Sequence, residues 1–158
     1  MRERTQQKRQ ELLNSKQNAV DAEQTYQAGK IGSIAAKFVE MGITRIRHSM
    51  EEELERPVSM DEAANWLDMN VDELTFSDID DIIASDLKVR LVINSSMRIA
   101  SAVLTHHNGW KEELLTKRES LLLDLAKLYR YDIYELFSER PRLLKFFTDY
   151  LLYTLRLQ

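Results

Sequence analysis

A shortage of backbone breakers constrains this chain most: four glycines and two prolines are spread over 158 residues. An all-β domain draws on Gly, Pro, Asn or Asp at every turn, whereas helices run through long tracts of Leu, Glu, Lys, Arg, Ala and Gln. The chain is rich in the second set, so its fold class reads as all-α, a multi-helix domain. An apolar share of 44% against 30% charged residues suffices to bury a core at this length, and one cooperative unit is the expectation. The chain has no cysteine, which excludes disulfides, thiol nucleophiles and cysteine-ligated zinc.

Residues 1–9 are polar and no apolar run follows that could act as a secretory signal. The apolar tract from Leu143 to Leu157 is interrupted by Lys145, Asp149 and Arg156 and is shorter than the ~20 apolar residues of a membrane span. A cytoplasmic location without a membrane partner is therefore expected. The net charge of -4 exerts no bulk pull on nucleic acid, so any DNA contact must come from a local patch.

Three segments follow from the patterning. Residues 1–28 form a polar, basic N-terminal arm or helix with sparse apolar positions at Leu12, Leu13, Ala19 and Val20. Residues 29–128 form a helical core. Gly29 and Gly32 bracket its start, Ile34, Ala35, Phe38, Val39 and Met41 recur at helical spacing, and Gly42 kinks or divides the helix before Ile43, Ile46, Met50 and Leu54 resume the stripe. Pro57 ends it. Residues 129–158 form a C-terminal helical extension, with a short helix around Asp132 to Phe137 and a last one opened by Pro141.

Within the core, Ser59-Met60-Asp61-Glu62 has the form of a capping box. It opens a helix from Met60 to Leu67, which a tight connection at Asp68-Met69-Asn70 joins to a second helix from Val71 to Ala84. This pair gives a helix-turn-helix-like unit over residues 59–86. Lys88 to Ile93 alternates charged and apolar residues and is rich in β-branched ones, which predicts one short strand. A lone strand leaves its edges unpaired, so a second copy of the chain is expected to pair with it at a dimer interface. A helix through Met97, Ala100, Val103 and Leu104 then stops at Asn108-Gly109, and a single helix runs from Trp110 to Tyr129.

No catalytic constellation emerges. His106 and His107 are adjacent and point to different sides of a helix, His48 stands alone, and there is no glycine-rich phosphate loop, nucleophile elbow or spaced acidic metal cluster. The chain reads as a non-enzyme without metal, cofactor or small-molecule substrate. Charge is segregated instead. No Lys or Arg lies between Arg56 and Lys88, while Asp61, Glu62, Asp68, Asp72, Glu73, Asp78, Asp80, Asp81 and Asp86 all do. Phosphates repel such a unit, so it is expected to meet a protein or only solvent. The candidate DNA-binding residues are Arg45, Arg47, His48 and Lys37, with Arg4, Lys8 and Arg9 in the arm; both central arginines are expected near one helix edge, facing phosphates or a minor groove. The competing reading pairs them with Glu40, Glu51 and Glu52 along the helix. Leu74, Phe76, Asp78, Asp81, Val89, Leu91, Ile93, Leu114 and Leu121 are the candidate protein-interface residues.

The run from Glu62-Ala63-Ala64-Asn65-Trp66-Leu67-Asp68-Met69-Asn70 through Leu74-Thr75-Phe76-Ser77, Val89-Arg90-Leu91-Val92-Ile93, Leu104-Thr105 and Glu113-Leu114 resembles the FlhD-type subunit of the bacterial flagellar master activator and its relatives on conjugative elements. The stretch from Arg56-Pro57 to Leu74 also resembles the third region of bacterial sigma factors, a helix-turn-helix module. The first resemblance, over residues 62–125, implies a helical homodimer that joins a zinc-containing FlhC-type partner subunit and recruits RNA polymerase to promoter DNA. Members often carry a dimer-linking Cys near the strand, where this chain has Arg90, so a dimer here would be held by packing alone. Some thirty residues, Tyr129 to Gln158, run past the family's usual end. The leading expectation is a transcriptional activator subunit. The alternatives are an adaptor, phage- or plasmid-encoded, that binds RNA polymerase or a sigma factor through the acidic face without touching DNA, and a structural helical subunit of a larger machine.

Overall fold

The computed structural model describes the backbone of residues 2–157, together with the side chains outside residues 1–5, 12–26 and 108. Among the described residues there is no strand. The described residues form eight α-helices: α1 Arg2–Leu54, α2 Met60–Asn70, α3 Phe76–Ala84, α4 Leu87–His106, α5 Asn108–Lys117, α6 Glu119–Tyr129, α7 Tyr131–Ser138 and α8 Pro141–Thr154, with a 3₁₀ turn Val71–Glu73 between α2 and α3.

The second half of α1 is the spine. Ile31, Phe38, Val39, Ile43 and Ile46 are buried along it, and α2, α3, α4, α6 and α7 pack around it. α8 supplies much of what fills the centre. Leu143, Phe147, Tyr150 and Leu152 are fully enclosed, and Phe38 of α1 stacks on Tyr150 at 4.9 Å and meets Phe147 edge-on at 6.3 Å. The inner face of α8 thus stands inside the core rather than beside it.

Several sequence expectations are corrected. Neither Gly29, Gly32 nor Gly42 interrupts α1. Gly42 instead provides clearance: a Cβ there would lie 3.2 Å from the ring of buried Phe147, closer than carbon atoms ordinarily pack. The expected strand at Lys88 to Ile93 is the first part of α4. Asp86 accepts from the backbone N–H groups of Lys88 and Val89, which starts the helix, and Ile93, Ala100, Val103 and Leu104 then bury one helical stripe. α2 extends to Asn70, so the connection expected there is helical, and the second helix of the pair starts at Phe76. The expected single helix from Trp110 to Tyr129 breaks at Arg118, whose φ of 47° is a left-handed value for a residue with a side chain. Its guanidinium is held by Asp149 of α8, so a tertiary contact, with no breaker in the sequence, fixes the bend.

Pro57 and Pro141 hold the places read for them, whereas Asn108 and Gly109, read as a helix end, are the first residues of α5, and α4 already ends at His106. α1 ends at Leu54, three residues before Pro57, with Glu55 in the left-handed conformation, and Pro141 opens α8. Ser59 accepts from the Glu62 N–H at 3.1 Å, but the Glu62 carboxylate turns to Arg56 instead of closing the box. The full capping box lies at Thr75 and Asp78, each side chain accepting from the other's backbone N–H, at 3.1 and 2.8 Å.

Candidate protein-docking groove

Most of the acidic residues between Arg56 and Lys88 are used by the fold itself. Glu62 pairs with Arg56, a contact that lowers the Glu62 pKa from its ordinary value. Asp61 and Asn65 hold buried Arg140, whose Nε donates to Asn65 at 2.7 Å and whose Nη1 donates to the Leu136 carbonyl at 3.0 Å. Asp68 accepts the Leu143 N–H at 2.9 Å and so caps α8 from α2. Asp72 meets Arg142, Asp80 accepts from the Tyr150 hydroxyl, Asp78 caps α3, and Asp86 caps α4 while facing Arg45 at 3.7 Å. Four of these nine, Asp61, Asp68, Asp72 and Asp80, thus form a seam that binds α8 to α2, α3 and the turn between them, while Glu62, Asp78 and Asp86 serve other contacts of the fold. Glu73 and Asp81 form no ion pair among the described residues.

The arginines expected to meet DNA lie on different sides of α1. Residues two apart on a helix are separated by about 200°. Arg45 donates to Ser85 Oγ at 2.8 Å, toward α3 and α4, whereas Arg47 donates to Glu51 at 2.7 Å and lines a polar cleft with Glu40, Asp61 and Asp132. The expectation of one shared edge is thus corrected, and the pairing of Arg47 with Glu51 matches the competing reading. His48 is exposed, its Nε2 3.1 Å from Arg47. Lys37, Lys8 and Arg9 are exposed on α1, and the Arg4 side chain lies outside the described residues.

Of the expected interface residues, Ile93, Leu114 and Leu121 are buried in the chain's own core. Phe76 is half-buried in an aromatic cluster with Phe146, Tyr150 and Tyr153, and Val89 is half-buried on α4. Leu91 is exposed. Leu74 and Asp81, by contrast, meet in a concavity.

That concavity is a groove of about 590 Å³ between the end of α1, α2 and α3. Two adjacent i, i+4 rows of α1 form its floor: Ile46, Met50 and Leu54 in one, Arg45, Ser49 and Glu53 in the other. Trp66 stands at the α2 side, and Leu74, Asp81, Ile82 and Ser85 form the opposite wall. Trp66 is 41% and Leu54 47% exposed, high for such large apolar side chains flanking a cleft. The rim is asymmetric in charge. Its one cation, Arg45, is tied to Ser85 and Asp86, whereas Glu53 and Asp81 form no ion pair among the described residues.

Sequence reading placed Met50 and Leu54 on the apolar stripe of α1 but did not assign Ile46, Met50, Glu53, Leu54, Trp66 or Ile82 to a site. The available signal was an apolar row continuing to Leu54, close to the helix end, with Trp66 nearby in sequence. No group of three or more His, Cys, Asp or Glu arranged to hold a metal occurs among the described residues, and no helix among them is long and apolar enough to cross a membrane. The chain matches no family model, no curated protein and no solved structure.

Proposed function

We propose that this chain is a non-catalytic adaptor that binds a cation-flanked amphipathic helix of a partner protein in the groove between α1, α2 and α3. The observation that carries the reading is the combination of an apolar row on α1, Ile46, Met50 and Leu54, with two uncommitted carboxylates, Glu53 and Asp81, that line the same groove. Helix-in-groove recognition uses apolar anchors at i, i+3, i+4 and i+7, and a rim of one charge selects for the opposite charge beside those anchors. A subunit of the transcription machinery, whether RNA polymerase, a sigma factor or an FlhC-type partner, would present such a helix here.

The promoter-binding reading asks for cations free to meet phosphate, and Arg45 and Arg47 are both engaged with groups of their own chain. That favours adaptor over DNA-binding activator. Fluorescence titration tests the proposal. With Trp110→Phe as background, Trp66 is the remaining tryptophan and borders the groove. A lysine-flanked amphipathic helical peptide should shift its emission to the blue and saturate, and the double change Glu53→Lys and Asp81→Lys should weaken binding at least ~10-fold. Equal response to an acid-flanked peptide, or no response to either, would refute the proposal. Salt-sensitive retardation of promoter DNA, lost on changing Arg45 and Arg47 to Ala, would restore the activator reading.

A further inference from the structure

α4 carries a second surface, to which neither the floor nor the rim of the groove contributes. Its inner stripe, Ile93, Ala100, Val103 and Leu104, is buried against the body. On the outside Leu87 and Leu91 are each 59% exposed and Ile99 47%. Leu87, Leu91, Arg98 and Lys88 fall within one outward sector at 100° per residue, with Ile99 and Arg90 along its borders. The tract from Leu87 to Lys111 holds no Asp or Glu. Lys88, Arg90 and Arg98 form no ion pair among the described residues, unlike Arg118, Arg130 and Arg142 elsewhere on the body. The fold thus neutralises arginines in other places and leaves these cations open beside large apolar side chains.

We propose that this face of α4 docks peripherally on an anionic lipid surface, with Leu87, Leu91 and Ile99 entering the headgroup boundary and Lys88, Arg90 and Arg98 meeting the lipid phosphates and carboxylates. Both halves of the surface then find a partner. Apolar side chains and cations interleaved on one exposed helix match an acidic bilayer, where each Lys or Arg adds about five-fold to partition and buried hydrocarbon adds the rest. A phosphodiester backbone would reward the cations and leave the three apolar side chains without a role. The bilayer is touched, not crossed, so this mode needs no membrane-spanning helix.

Co-sedimentation of the full chain with vesicles decides the matter. The chain should pellet with vesicles containing about one-third phosphatidylserine and stay in solution with phosphatidylcholine alone, the difference shrinking as salt is raised. Changing Lys88, Arg90 and Arg98 together to Gln should reduce partition roughly 100-fold, and Leu91→Ser with Ile99→Ser at least ~10-fold. All five side chains are on the outer or bordering surface of α4, and unchanged helical circular dichroism would verify that each variant is folded. Leu74→Glu, which alters the groove, should leave vesicle binding intact, so the two proposals fail separately. Equal sedimentation with both lipids, no sedimentation of the parent chain, or binding to a short DNA duplex that survives the Leu91 and Ile99 changes would each overturn the proposal.

Discussion

Tyr150 joins three elements through one ring. It is buried, stacks on Phe38 of α1, lies 5.5 Å from Phe76 of α3, and donates its hydroxyl to Asp80. Burial first, and the Asp80 carboxylate second, raise the phenol pKa above its ordinary value, so the hydroxyl remains a donor throughout the neutral range. Tyr150→Phe keeps the ring and removes the donor. Because Asp80 is exposed and can be rehydrated, the loss should be about 1.5 kcal/mol in urea unfolding, the lower end for a bond to a charged group; an unchanged midpoint would show that water replaces the bond at no cost. Arg118 presents the opposite balance. Its φ of 47° and ψ of -118° suit glycine, and strain of this kind costs ~1–3 kcal/mol, whereas its partly exposed ion pair with Asp149 is worth ~0–1 kcal/mol. Arg118→Gly should therefore raise the unfolding free energy by about 1 kcal/mol.

Among the elements, the α6–α7 corner shows how a charge pair makes stability depend on pH. Arg130 donates to Asp132 at 2.9 Å and across to Glu40 of α1 at 2.8 Å, and its hydrogen bonding lowers the Asp132 pKa. A carboxylate with a depressed folded-state pKa contributes stability above its unfolded pKa and loses it as pH falls through the folded value. Asp132→Asn should therefore be less stable than the parent at neutral pH, with the gap narrowing under acid as the parent's own carboxylate protonates. Because the Asp132 side chain is 65% exposed, the gap should be small, and parallel urea midpoints at the two pH values would remove the pair from the account. Capping and termination were the legible part of these elements: Pro57, Ser59 and Pro141 act locally and could be placed from a few neighbours. Lys88 to Ile93 misled because a six-residue window sees the alternation of Val89, Leu91 and Ile93, while the helical stripe that decides the matter continues to Leu104. The Arg118 bend had no local signal, since Asp149 lies 31 residues away. The groove was half legible for the same reason. Its α1 rows follow from periodicity, but the wall of Leu74, Asp81 and Ile82 comes close only once α3 folds back on α1.

For the molecule as a whole, the decisive arrangement is the return of α8 through the centre of a body built on α1. Leu143, Phe146, Phe147, Tyr150, Leu151 and Leu152 are all buried, and at ~1.5–3 kcal/mol for each such side chain their removal from water contributes on the order of 10 kcal/mol. That is comparable with the entire ~5–15 kcal/mol net stability of an ordinary domain. The acidic seam directs the return, because Asp68 caps the helix while Asp61 and Asp72 receive Arg140 and Arg142 on either side of Pro141. A chain ending at residue 140 should therefore lose its cooperative urea transition altogether instead of shifting it by a few kcal/mol. Gly42→Val probes the same packing from the α1 side: added carbons would press on Phe147, which Phe38 and Phe146 flank edge-on, at a cost of about 2–3 kcal/mol. The groove begins one turn farther along the same i, i+4 row of α1, at Ile46, and Ile46, Met50 and Leu54 keep their places in it only while Phe38 and Ile43 are held by the core. Calorimetry with the lysine-flanked peptide should accordingly show Gly42→Val weakening binding only at temperatures where its unfolding has begun; weakened binding well below that transition would mean the groove's shape depends on the core more directly than through folding.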